Sequence, residues 1–84
     1  MNIRCYDNGG KTFDRYTVVY LDELEREPRT FAARGMSAYP FHPQGFGMMT
    51  SAMCGRHLGK RIAFEELPPD CQRLVKGDLN VPAT

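Results

Sequence analysis

Arg15-Tyr16-Thr17-Val18-Val19-Tyr20-Leu21 is the stretch on which the fold turns. After Arg15 every residue is aromatic, β-branched or leucine, the composition that suits a pleated surface packed against neighbours. A strand of this kind needs a partner, and Asn2-Ile3-Arg4-Cys5-Tyr6 alternates well enough to supply one. A tight turn at Asn8-Gly9 would set Ile3 against Asp14 and Cys5 against Thr12, which spoils the apolar face. If residues 7–14 form a longer connection, Cys5 faces Tyr16 and Ile3 faces Val18. Ile3, Cys5, Tyr16, Val18 and Tyr20 then share one side of the sheet.

Downstream, Asp22 with Glu25 can cap a single helical turn that Pro28 stops, so residues 22–28 read as a connector. Residues 30–36 follow as a third strand, with Phe31 and Ala33 expected on the inner face and Arg34 and Met36 on the outer. Residues 58–64 give a fourth strand, placing Ile62 and Phe64 together. Residues 65–77 have the grammar of a closing helix, with Pro68 and Pro69 in the first turn, Asp70 early, Lys76 late and Gly77 as the stop. Leu67, Cys71, Leu74 and Val75 fall at i, i+4, i+7 and i+8, one apolar stripe for the sheet to cover. The expected fold is α+β, a small, mostly antiparallel sheet of about four strands with one C-terminal helix on one face.

A chain of 84 residues has room for one domain, residues 1–84, with 80–84 expected to fray. It is 42% hydrophobic and 25% charged, the balance of a folding chain rather than a disordered one. A formal charge of +1 provides no large field toward nucleic acid or membrane. The N-terminus lacks an apolar signal core and no apolar run is long enough to span a bilayer, which implies a cytoplasmic protein without a membrane partner. Three cysteines without CxxC spacing fit reduced thiols.

Between the third and fourth strands lies Gly35-Met36-Ser37-Ala38-Tyr39-Pro40-Phe41-His42-Pro43-Gln44-Gly45-Phe46-Gly47, with three glycines, two prolines and three aromatic rings in thirteen residues. Such a segment is a shaped loop, and its rings form either a small core of their own or a surface offered to a partner. Met48-Met49-Thr50-Ser51-Ala52-Met53-Cys54-Gly55 is expected to pack adaptably beneath it, the alternative being a promiscuous binding surface. The candidate binding residues are Arg34, Tyr39, Phe41, His42, Gln44 and Phe46 with the basic group Arg56, His57, Lys60 and Arg61, because tyrosine, phenylalanine and arginine anchor interfaces.

The other chemistries fare worse. Gly10-Lys11-Thr12 resembles the end of a phosphate-binding loop, but residue 5 is cysteine where the motif needs glycine, and a strand follows where it needs a helix. Cys54 and His57 have C-x-x-H spacing, and His42 and Cys71 would have to complete the set, yet structural zinc sites show two paired motifs. Neither histidine sits in a catalytic motif. No catalytic residue, metal or cofactor is expected, and binding is favoured over catalysis.

Residues 6–19, then Gly35-Met36-Ser37 with 40–47, His57-Leu58-Gly59-Lys60-Arg61-Ile62 and Leu67-Pro68-Pro69-Asp70-Cys71-Gln72 resemble uncharacterised small proteins encoded by bacteriophages and other mobile elements. The resemblance spans most of the chain and brings no catalytic residues. It implies a setting, in which small single-domain proteins act by binding host or phage proteins, and in which blocking a bacterial defence system such as CRISPR is one role. The expectation is a protein-binding module, an anti-CRISPR inhibitor being one form of it. The alternative is a nucleic-acid accessory protein whose loop rings stack on bases while arginines meet phosphates.

Overall fold

A computed structural model describes residues 2–24 and 29–80. Among them five strands, β1 (Ile3–Asp7), β2 (Tyr16–Leu24), β3 (Phe31–Met36), β4 (Gly47–Ala52) and β5 (Lys60–Ile62), form one antiparallel sheet in the order β4-β3-β2-β1-β5. One helix, α1 (Pro69–Leu79), crosses one face. The fold is α+β, with five strands where the sequence suggested about four.

The additional strand is β4. The methionine segment is not a floor under the loop but the sheet edge, paired through Met36↔Gly47 to Phe31↔Ala52. Met48 and Met49 are exposed while Met36 is fully buried. At the other edge β5 is shorter than the expected 58–64, flanked by 3-10 turns at Arg56–Leu58 and Phe64–Glu66. The reading of 22–28 as a connector is corrected over 22–24, which continue β2. Residues 25–28, including the proposed partner Glu25, lie outside the described residues, as do 81–84 of the expected tail.

The β1–β2 register is Ile3↔Tyr20, Cys5↔Val18 and Asp7↔Tyr16, two residues from the expected pairing. Because side chains alternate with period two, a slip of two leaves the face unchanged. Cys5, Tyr16, Val18 and Tyr20 therefore lie together under Leu67, Cys71 and Val75, with Ile3 and Leu74 packed alongside.

On β3 the expected faces are reversed. Val18↔Arg34 and Tyr16↔Met36 put Arg34 and Met36 on the helix side, whereas Phe31 and Ala33 face the other way. The expectation assumed a single buried face, but both are covered. Residues 53–59 run from β4 to β5 across the second face, where Cys54 and Leu58 pack around Tyr6, Val19 and Ala33. This explains why adjacent alanines, poor strand formers, are both buried in β3: each meets a different cover.

The helix runs past Gly77 because Asp78 has tertiary partners. A carboxylate in the last helical turn opposes the helix dipole. Here the Arg34 guanidinium offsets it, Nε and Nη2 reaching Asp78 Oδ2 and Oδ1 at 2.7 and 2.6 Å. The Tyr20 hydroxyl donates to the same carboxylate. Burial, then the Asp78 hydrogen bond, pushes the Tyr20 phenol up from its ordinary range. The pairing fixes the helix end to β2 and β3.

Candidate functional site

Antiparallel pairing brings two connections to one end of the sheet, residues 8–15 between β1 and β2 and residues 37–46 between β3 and β4; residues 53–59 start at the opposite end, beside Phe31, and reach this one only where they enter β5. The 8–15 loop is tied by its own side chains. Asn8 Oδ1 accepts from the Gly10 and Lys11 amides at 2.8 and 3.0 Å, and Asn8 Nδ2 donates to Thr12 Oγ1 at 2.7 Å. The Thr12 hydroxyl donates to Asp14 at 2.6 Å. Gly9 and Gly10 have φ of 77° and 89°, the left-handed region that favours glycine. Asp7 Oδ1 accepts from the Gly9 amide and from Arg15 Nε, and the Arg15 hydrogen bond holds the Asp7 carboxyl below its usual range.

These bonds bear directly on the phosphate-loop resemblance of Gly10-Lys11-Thr12. Backbone N–H groups in such a loop must point at the phosphate. Here the amides of Gly9, Gly10 and Lys11 are taken by Asp7 and Asn8.

The 37–46 loop closes a hairpin, although its length suggested a less direct bridge between strands. Ser37 N–H donates to the Phe46 carbonyl at 2.8 Å, and Phe46 N–H to Ser37 Oγ at 2.9 Å. Within the loop His42 N–H reaches the Tyr39 carbonyl, Gly45 N–H reaches the His42 carbonyl, and Gln44 N–H donates to His42 Nδ1. A Cβ at Gly45 would lie 1.8 Å from the Tyr39 carbonyl oxygen, so the crossing of these two backbones requires glycine. The helix anchors the root of the loop through the Cys71 thiol, which donates to the Ser37 carbonyl.

The three rings have separate fates. Phe46 packs over Gly35 and meets Phe13 edge to face, centroids 6.5 Å apart. Tyr39 and Phe41 remain 69% and 52% exposed, Phe41 with the Arg73 guanidinium 5.0 Å over its ring. Between the two loops opens a cleft of about 810 Å³ whose walls include Lys11, Thr12, Phe13, Tyr39, His42 and Gln44.

The sequence candidates therefore separate into three places. Tyr39, Phe41, His42 and Gln44 belong to the exposed loop, and Phe46 lies beneath it. Arg34 is engaged by Asp78 and by the Gly47 carbonyl. Arg56 and His57 sit in the turn before β5, with Lys60 and Arg61 in that strand, across the sheet from β4 and outside the cleft. Lys11 and Phe13 were missed. The available signal was Phe13, an aromatic residue isolated in a polar loop.

Cys54 packs on the second face, Cys71 lies in the core, and His42 is on the loop; the described residues bring no three metal-ligating groups together. Burial pushes the Cys5 and Cys71 thiols up to about 11, so both remain protonated at neutral pH. No helix among the described residues is long and apolar enough to cross a membrane. Compared with protein-family models, with curated proteins and with solved structures, the chain matches none.

Proposed function

We propose that the protein is a binding module for another protein, docking through the loop end of its sheet and acting by occlusion. The observation that carries this reading is the exposure of Tyr39 and Phe41 on a loop whose backbone is held by its own hydrogen bonds, beside an open cleft. Rings presented on a fixed backbone lose little conformational freedom on binding, the condition under which aromatic anchors are most effective. The resemblance to mobile-element proteins points to a host or phage protein as the partner, a bacterial defence complex being one such target.

The nucleic-acid alternative draws on Arg56, Lys60 and Arg61, which are exposed and hold no salt bridge among the described residues. These cations are separated from the exposed rings, whereas stacking and phosphate contact must follow one strand.

Co-purification of the tagged protein from host lysate, with mass spectrometry and a nuclease-treated parallel, tests the proposal. A protein partner that survives nuclease and is lost with the double variant Tyr39→Ala, Phe41→Ala is the expected result. Retention by that variant contradicts the loop-end surface, and loss on nuclease treatment favours the alternative.

A further inference from the structure

We infer that the cleft between loops 8–15 and 37–46 receives an apolar side chain flanked by a carboxylate, so that the docking segment of the partner is acidic. The inference rests on the loop-end reading and adds the chemistry of the occupant. A volume of about 810 Å³ suits a large side chain together with its neighbour. Phe13, Ala38 and Tyr39 supply apolar wall.

The polar groups on the walls are biased toward donors. His42 Nδ1 accepts from the Gln44 amide, which leaves the proton of the neutral ring on Nε2 as a donor. Lys11 is exposed and has no carboxylate partner among the described residues. Arg15 also lines the cleft, but its Nε and Nη2 are on Asp7. No acidic side chain among the described residues lines the cleft. Of the nearby carboxylates Asp7 is paired with Arg15, and Asp14 accepts the Thr12 hydroxyl and lies off the cleft walls. An entering carboxylate meets Lys11 without a competing anion on the wall, whereas an entering ammonium meets a like charge.

The test is an amide chemical-shift titration of the whole chain with phenylacetate, phenylacetamide and phenethylamine, which share a ring and differ in charge. The expected result is perturbation at residues 10–13 and 38–45, with phenylacetate bound about three- to fivefold more tightly than phenylacetamide, the worth of one solvent-facing charge pair. Phenethylamine should bind most weakly. Lys11→Met should bring the acid and amide together, and Lys11→Glu should reverse the order of acid and amine; Lys11 is exposed, so neither change should disturb the fold. Equal binding of acid and amide by the parent, preference for the amine, or no perturbation at the cleft overturns the inference. The docking reading fails by a different result, retention of the captured partner by the Tyr39→Ala, Phe41→Ala variant.

Discussion

The two loops that frame the cleft solve the same geometric problem with different chemistry. Loop 8–15 is held largely from its side chains, Asn8, Thr12 and Asp14 forming a chain and Asp7 clamping Arg15 and the Gly9 amide. Loop 37–46 is held mainly by backbone contacts, with Ser37 and His42 the side chains that accept its amides. Its remaining side chains are therefore free for other uses, and Tyr39 and Phe41 project into solvent. Loop 8–15 leaves Lys11 and Phe13 for a partner, and loop 37–46 leaves Tyr39, Phe41 and the Nε2 edge of His42.

The largest expected effect is at the backbone crossing of loop 37–46. Gly45→Ala drives a methyl into the Tyr39 carbonyl and should cost about 2–3 kcal/mol in urea unfolding, the range of overpacking strain. Amide shifts should change throughout 37–46 while Gly9 and Gly10 remain in place. Next is Asn8→Ala, which removes four side-chain hydrogen bonds from the other loop, one of them long, and should cost about 1–2 kcal/mol. Its perturbation should remain in residues 8–15. If either substitution disturbs both loops equally, they are one unit and the contrast between them is lost.

Acid should separate the loops by titration. The Asp7 carboxyl is lowered in the folded state, chiefly by Arg15, so its contribution to stability is present above the unfolded value of about 3.8 and is lost as pH falls through the lower folded value. Amide shifts of Gly9 and Gly10 should move in that window. Residues 37–46 contain no carboxylate and should remain unchanged there. The smallest expected effect on stability belongs to Tyr39→Ala, within about 0.5 kcal/mol as for an exposed position free of a structural role, with Phe41→Ala costing up to about 1 kcal/mol because its ring lies under the Arg73 guanidinium. A loss above 2 kcal/mol would place those rings in the core and break the comparison.

The sequence made the helix face legible because Ile3, Cys5, Tyr16, Val18 and Tyr20 keep a common parity even when the register slips by two. The stripe of Leu67, Cys71, Leu74 and Val75 was legible for the corresponding reason on a helix. Strand β4 was not, since Met48-Met49-Thr50-Ser51 has no alternation and becomes a strand through pairing with β3. The faces of β3 were hidden because residues 53–59 cover the side that a single-faced sheet would expose. Asp78 carried no local signal of its tertiary pairing with Arg34, which removed that arginine from the candidate surface.

The exposed rings were legible as a loop surface, but their opposite wall was not. Phe13 and Lys11 are far from Tyr39 in the chain, and they meet because alternate connections of an antiparallel meander, here β1–β2 and β3–β4, turn at the same end of the sheet. Knowing that the fold is antiparallel was not enough without the order of the strands.

Amide hydrogen exchange of the protein, alone and bound to the partner it captures, tests the central claim most directly. The account predicts added protection at residues 38–46 and 10–13, with Arg56–Arg61 unchanged. Protection confined to Arg56–Arg61, with both loops exchanging as in the free protein, would contradict it.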